Sequence, residues 1–256
     1  DDAHVRIAKP VALLQHVRPI GEDIVAGELI VPAYHKLRAM DIGALLAGGI
    51  LEVAVLKKPR AGIIPTGTEI VEAGSPMEKG KIIDSNTRMF EALIKEYGGE
   101  PARYAPVPDD YAVIKAAIQK AVAENDMVLI SAGSSAGTED YTRALVEELG
   151  EVAIHGVAIK PGKPAILGFI EGKPVIGIPG YPVSAYFVFE NFVRPVILGM
   201  THQLNVSRPV IKATLSKRLM STLKYLEFVR MKCGKVGGRF VRSEEHTSEL
   251  QSPRTI

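Results

Sequence analysis

Between Ala61 and Met200, short apolar runs and helical patterns alternate at a spacing that leaves few folds open. The runs are AGIIPTG, ARYAPV, DMVLISAG and KPVIGIPG, with helical periodicity between and after them. Runs of this length bounded by Gly and Pro read as buried strands. Strands that alternate with helices argue for a mainly parallel sheet covered on both faces. The expected fold class is therefore α/β, with a three-layer α/β/α unit over 61–200.

Four helices fit the pattern. In DSNTRMFEALIKEYGG, Ser85 is placed to cap the start, Phe90, Leu93, Ile94 and Tyr97 share a face, and Gly98 and Gly99 stop it. In DDYAVIKAAIQKAVAEN the expected face is Val113, Ala117, Ala121 and Val122. TEDYTRALVEELG spaces Tyr141, Leu145 and Leu149 four apart, and PVSAYFVFENFVRPVILG opens on Pro182 with a bend expected at Pro195. A hairpin is expected at Glu171–Gly172.

The flanks differ. Residues 1–60 are expected to form a partial N-terminal or linker segment of short strands (RPIGEDIVAGELIVPAY, LEVAVLKKPR) and one helix, RAMDIGALLAGGI, stopped by Gly48 and Gly49. Residues 205–242 read as strands, too few for a stable sheet domain alone. Residues 243–256 are polar, lack a period, and read as a disordered or foreign tail. The chain does not open on Met and is expected to be a fragment.

Composition narrows the function classes. A net charge of +2 supplies no basic field for nucleic acid. No apolar run reaches about 18 residues, so no membrane span is expected. The single cysteine, Cys233, excludes an internal disulfide and a cysteine-only metal cluster. It fits a reducing compartment, and a cytoplasmic location is expected. No Ser-His-Asp arrangement, P-loop or zinc spacing appears, and His155 reads as a surface or packed residue.

In a doubly wound sheet, ligands bind beyond the carboxyl ends of the strands. Four loops fall there: PTGTE (65–69), DSN (84–86), SAGSSAGTED (131–140) and PGYPVS (179–184). Helix starts present free N–H groups and a partial positive charge, which suit anions. The candidate binding residues are Thr66, Gly67, Asp84, Ser85, Asn86, Ser131, Gly133, Ser134, Ser135, Gly137, Pro179, Gly180, Pro182 and Ser184. Turn chemistry alone would also place Gly, Ser and Pro there, but four such loops on one edge favour a site.

Four carboxylates, Asp23, Glu69, Asp109 and Asp140, fall in loops or at helix starts. Helix capping accounts for acids at such places. A carboxylate beside phosphate would also be accommodated by Mg²⁺, which takes one or two carboxylates plus phosphate oxygens. It could instead accept from a heterocycle's N–H edge. The basic counterpart is AIKPGKPAI, where Lys160 and Lys163 stand among prolines that limit the backbone's freedom. Two such cations fit a phosphate or tetrahedral oxyanion; a solvated basic turn is the alternative.

Taken in order, PTGTEI, DSN, SAGSSAGTEDYT, AIKPGKP and IPGYPVSA resemble the MoeA family, the molybdopterin molybdenumtransferases that include the E domain of gephyrin. PIGEDIVAGELIVPA and the LAGGI helix match as well, so the resemblance spans about 15–235. It implies a MogA-like central domain and a partial C-terminal β domain. It also implies insertion of molybdate into adenylylated molybdopterin with release of AMP, a need for Mg²⁺, and a homodimer. Asp23, Glu69, Asp109, Asp140 and Lys160 take the catalytic positions, Lys163 a substrate position, and Glu69 and Asp140 the metal. A second family lysine would fall at Gly156, and the usual SGG and PGNP read SAG and PGYP here, with Ala132 and Tyr181. The family's N-terminal region is expected to be incomplete and its C-terminal domain cut short near Arg242. A MogA-like adenylyltransferase is an expected donor of substrate. It is also the competing reading, along with a non-catalytic binding or scaffold module; the GEDI segment and its following helix favour molybdenum insertion.

Overall fold

The chain divides into two units, Asp1–Leu56 and Lys57–Ile256. The computed structural model describes residues 3–4, 6–131, 136–204, 210–216, 218–221, 223–237 and 239–244, and within these all side chains except those of 136–140, 236, 239, 243 and 244. In the first unit, α1 (Ala39–Ala47) ends at Gly48, and Gly49 turns the chain with φ of 78°. Asp41, in the first turn of α1, accepts from the Arg38 guanidinium, from the Arg38 N–H at 2.8 Å and from His35 Nε2 at 2.8 Å. These hydrogen bonds, those from Arg38 foremost, hold the Asp41 carboxyl well below the usual carboxylate range. The strands expected in RPIGEDIVAGELIVPAY and LEVAVLKKPR are not found among the described residues of this unit. An extended segment without a neighbouring edge leaves its N–H and C=O groups to water, so apolar spacing alone does not make a strand.

The second unit begins with β1 (Arg60–Pro65), the short β2 (Ile70–Val71) and β3 (Ile82–Ile83), α2 (Asn86–Glu96) and β4 (Glu100–Arg103). It continues through α3 (Tyr111–Glu124), β5 (Met127–Ser131), α4 (Ala136–Leu149), β6 (Glu151–His155), β7 (Ile159–Lys160), β8 (Ile166–Ile170) and β9 (Lys173–Ile178). A continuous helix follows, made of α5 (Pro182–Val188), a π turn (Phe189–Val193) and α6 (Arg194–Met200). The last elements are β10 (Thr214–Leu215), β11 (Leu226–Glu227), β12 (Met231–Val236) and β13 (Arg239–Glu244).

Six strands form one sheet in the order β4-β1-β5-β9-β8-β6. The first four are mutually parallel, and β8 runs antiparallel to both β9 and β6. Side chains alternate across a strand, and the alternation sorts two cores. Ala61, Ile63, Met127, Leu129, Ile176 and Ile178 face α2 and the final helix, through Phe90, Ile94, Val188, Phe189 and Ile197. Ile64, Val128, Ile130 and Val175 face α3 and α4, through Ile114, Ile118, Leu145 and Val146. Apart from Ala61, each such side chain contributes roughly 1.5–3 kcal/mol by leaving water. The result is an α/β unit with helices on both faces of the sheet. At the hairpin, Glu171 and Gly172 have φ of 52° and 74°, the pair of positive values a two-residue type I′ turn needs.

Several local expectations are corrected. Ser85 precedes α2 without a side-chain capping bond; Asp84 caps it instead, accepting from the Thr87 N–H at 3.1 Å. On α3, Val113 is exposed and the buried stripe is Ile114, Ile118, Ala121 and Val122. The α4 backbone starts at Ala136, and its buried residues include Thr142, Leu145 and Val146, while Tyr141 is exposed and meets the Tyr111 ring edge-on. The α3 difference is not visible in spacing, since Val113 and Ile114 are both apolar; on α4 the expected Leu145 is buried and only Tyr141 gives way, to Thr142. Before Pro195, which has no N–H for an intrahelical bond, the helix widens into the π turn: the Arg194 N–H reaches back to Phe189 O. By length and composition the segment Pro182–Met200 could cross a membrane, contrary to expectation. Its stripe of Ala185, Val188, Phe189, Val193 and Ile197 packs on the sheet instead.

Beyond the sheet, β11 pairs with β7, and β10, β13 and β12 form a three-stranded sheet whose last strand runs to Glu244.

Candidate functional site

The parallel strands β1, β5 and β9 end together at Pro65, Ser131 and Ile178. Because β8 is antiparallel, its first residue, Ile166, lies beside Gly177 near the same edge. Every loop that leaves or enters this edge is therefore a neighbour, however distant in sequence. Hydrogen bonds join them. The Thr66 N–H and hydroxyl donate to Ser131 O at 2.9 and 3.2 Å, tying PTGTE to the head of the glycine-rich loop. The Gly67 N–H donates to Val107 O at 3.0 Å. Asn86 Nδ2 donates to Gly180 O at 2.6 Å, tying DSN to PGYPVS.

These ties change the reading of several candidates. Thr66 and Ser131 are buried, and the Thr66 hydroxyl is spent inside the protein. Asp84 is buried too, and receives Thr87 and Arg103. Ser85 is exposed, Asn86 half-buried, Pro179 buried, and Gly180 and Ser184 half-buried around the start of α5, where Pro182 occupies the first turn. Gly67 has φ of 137°, and a Cβ there would lie 2.9 Å from Glu69 Oε2 and Ile70 Cγ1, so no side chain fits. Gly133, Ser134 and Ser135 lie outside the described residues; the backbone of Gly137 and Asp140 is in the opening turns of α4, and their side chains lie outside the described set.

Among the acids, Asp109 shows the most specific geometry. Asp110, not Asp109, caps α3 by accepting from the Val113 N–H at 3.0 Å. Asp109 clasps the neighbouring loop: its Oδ2 accepts from the Thr68 N–H at 3.3 Å, and its own N–H donates to the Thr68 hydroxyl at 3.1 Å. Its other oxygen, Oδ1, is buried and has no hydrogen-bond partner among the described residues. A buried carboxylate oxygen without a donor is costly unless a cation or a ligand N–H supplies one. Glu69 is half-buried on the same loop, whose Thr68 carbonyl accepts from Lys81 Nζ at 2.9 Å. Asp23 belongs to the first unit, where it pairs with Arg18 at 3.1 Å, largely exposed.

The lysines sit on the segment between β6 and β8. Lys160 Nζ is 3.4 Å from Glu227 Oε1 with the lysine side chain 60% exposed, and Lys163 Nζ lies 6.0 Å from the centre of the Tyr225 ring. The Lys160–Pro161 bond is cis, and Gly162 has φ of 114°. A Cβ on Gly162 would meet Ile159 and Val188 at 2.9 Å, which sets this turn against α5. Gly156 has φ of 81°, a backbone state in which the lysine expected there would be strained.

Behind the edge, Glu148 of α4 accepts from Lys115 Nζ and from the Tyr111 hydroxyl on α3. Lys115 first, then Tyr111, holds the Glu148 carboxyl below its usual value, and Glu148 holds the Tyr111 phenol above its own.

Among the described residues no three His, Cys, Asp or Glu side chains gather as a metal-holding group. A full protein cage is not what Mg²⁺ usually takes; it keeps waters and uses one or two carboxylates with phosphate oxygens. Glu69 and Asp109 Oδ1, which has no partner among the described residues, supply hard oxygen donors of that kind on one loop pair. Of the expected pair Glu69 and Asp140, the Asp140 side chain lies outside the described residues.

Arg103 escaped the sequence reading. It ends the strand written as ARYAPV, and no local pattern marks an arginine that pairs with Glu72 and Asp84. Asp110 was legible in principle, as an acid three residues before the first backbone N–H it can cap.

The family described as a probable molybdopterin binding domain matches residues 62–199. The chain is 32% identical over 239 residues to the molybdopterin molybdenumtransferase of Haemophilus influenzae, covering 93% of this chain and 57% of that one. The enzyme of the same name from Staphylococcus aureus is 30% identical over 88% of this chain and 54% of its own. The chain thus spans a little over half the length of these curated relatives. Two solved structures of molybdopterin biosynthesis MoeA proteins from Pyrococcus horikoshii superpose with TM-scores of 0.76 and 0.70. They are 38% and 32% identical to this chain, covering 88% and 89% of it and 55% of each of theirs. The loops joined at the carboxyl edge fall within the matched region, and the chain belongs to the molybdopterin-binding domain family as a MoeA/MogA-like member.

Proposed function

We propose that this chain acts in molybdenum cofactor biosynthesis, inserting molybdate into adenylylated molybdopterin with cleavage of the phosphoanhydride and release of AMP. The observation that carries the reading is the pairing of loops at the carboxyl edge: Thr66 ties PTGTE to Ser131 at the head of the glycine-rich stretch, Thr68 ties it to Asp109, and Asn86 ties DSN to PGYPVS. The starts of α4 and α5 at this edge suit the phosphate groups. Lys160 and Lys163 take phosphate or molybdate oxygens, and Asp109 Oδ1 would coordinate Mg²⁺ or accept from the pterin N–H edge. Glu69 and Asp140 complete the acidic set, and Asp23 is assigned to the same chemistry through the resemblance. Mg²⁺, when bound, neutralises charge on the phosphoanhydride oxygens. The proposal includes a homodimer, a cytoplasmic location, a MogA-like adenylyltransferase that hands over substrate, and no nucleic-acid or membrane partner.

The test is AMP release from adenylylated molybdopterin with and without molybdate. Molybdate-dependent release supports insertion. Adenylyl transfer from ATP to molybdopterin would replace it with the adenylyltransferase reading, and tight pterin binding without turnover would indicate a scaffold.

A further inference from the structure

Arg103, the last residue of β4, is only 11% exposed and stands among three carboxylates. Its Nη2 lies 2.6 Å from Glu72 Oε1, its Nη1 3.3 Å from Asp84 Oδ2 and its Nε 3.7 Å from Glu91 Oε2. Arg88 joins the cluster from its exposed side, at 3.3 Å from Glu72 and 2.9 Å from Glu91. A planar guanidinium can address several acceptors at once, whereas an ammonium is a single point charge. Asp84 is 5% exposed, so its carboxylate needs both a countercharge and hydrogen bonds. It has Arg103, the Thr87 N–H and the Thr87 hydroxyl, and through Thr87 it caps α2. Two residues on, Asn86 reaches Gly180 O at the entrance to α5.

These contacts form one chain: Arg103 to Asp84, Asp84 to the first turn of α2, Asn86 to the PGYPVS turn. We infer that Arg103 is a positioning residue of the binding edge, setting the DSN turn and, through Asn86, the PGYPVS turn without touching substrate. The inference rests on the proposed reading that these turns bind adenylylated molybdopterin. Without the guanidinium, Asp84 is left buried near Glu72 and Glu91, and repulsion drives the turn outward.

Arg103→Lys keeps the charge and removes the fork. In this variant KM for adenylylated molybdopterin should rise about ten-fold with kcat within about two-fold, the scale of one lost charge-assisted hydrogen bond. Asp84→Asn weakens the same link from its other side and should give the same pattern. Independently of turnover, amide exchange should quicken at Thr87 and Ala185, whose N–H groups bond to Asp84 Oδ1 at 3.1 Å and Tyr181 O at 2.8 Å. At Ala185, Arg103→Lys combined with Asn86→Ala should exchange no faster than Asn86→Ala alone, because the effect runs through Asn86. A lower melting temperature with unchanged KM and unchanged Ala185 exchange would reduce Arg103 to a structural ion pair, and additive exchange in the double variant would equally overturn the coupling. Should the unaltered chain release no AMP with molybdate, the functional proposal fails, and exchange at Ala185 still decides the role of Arg103.

Discussion

Leu13 and Leu129 are the same residue type in two settings: Leu13, in the first unit, is 94% exposed, and Leu129, in the central strand β5, is fully buried. The contrast runs through both regions. Among the described residues of Asp1–Leu56, only Asp41 and Leu45 are buried, although the segment is rich in Ile, Val and Leu. In the sheet, Ile63, Ile64, Leu129 and Ile130 have no exposed surface. What differs is arrangement, not apolar content. The strands of the second unit repeat every two residues beside helices that repeat at three and four, so each apolar side chain meets another. Among its described residues the first unit has one short helix, turns at Gly21 and Gly27, and no second layer of its own.

The strongest test of this contrast is a matched pair of truncations. Leu129→Ala should destabilise the second unit by about 2–5 kcal/mol, and Leu13→Ala should change stability by less than about 0.5 kcal/mol, both read by urea unfolding. A loss above about 1 kcal/mol at Leu13 would show that the first unit's apolar surface is covered in solution, and the contrast would break. A second test separates stability from chemistry within the second unit. Lys160→Ala should cut molybdate-dependent AMP release about ten- to a hundred-fold while shifting stability by less than about 0.5 kcal/mol. Unchanged turnover would return Lys160 to the role of a surface ion-pair partner of Glu227.

A smaller effect sharpens the local picture. Asp110→Ala should cost about 1 kcal/mol through lost capping of α3, whereas Ser85→Ala should cost little, since Ser85 makes no side-chain capping bond. Equal costs in thermal melting would contradict the assignment of Asp84 as the cap of α2. The smallest effect belongs to the first unit. Asp41 has a folded value below the unfolded value of about 3.9, so its contribution is complete above that pH and is lost as pH falls through the folded value. Amide protection in α1 should therefore decline in acid in the native protein, with a flatter profile in Asp41→Asn. Identical profiles would remove Asp41 from the account.

Legibility followed the range of the cause. Alternation from Ala61 onward, the stop at Gly98–Gly99 and the turn at Glu171–Gly172 rest on periodicity or backbone preference within a few residues, and all were readable. The first-unit strands were misread because a strand depends on a neighbouring edge that no local pattern supplies. On α3 and α4 the expected Ala121, Val122 and Leu145 are buried, but Val113 and Tyr141 are exposed while their neighbours Ile114 and Thr142 are buried, a choice that only the sheet beneath makes. At the site, the loops were found from Gly, Ser and Pro content, but their internal roles were not. Thr66, a candidate binding residue, spends its hydroxyl on a buried tie to Ser131, 65 residues away.

By itself, the amino-acid sequence determined the α/β layering, the edge on which the loops gather and the turns that need positive φ, because spacing and steric freedom are properties of adjacent residues. Only the tertiary structure decided that Asp84 caps α2, that Asp109 clasps Thr68 and leaves one oxygen without a donor among the described residues, and that Arg103 joins Glu72 to Asp84. Those bonds span 3 to 41 residues, and the physical reason is common to all of them. Burial makes an unpaired charge or polar group costly, so each group takes whichever partner the fold brings within reach, and that choice exists only once the layers have packed.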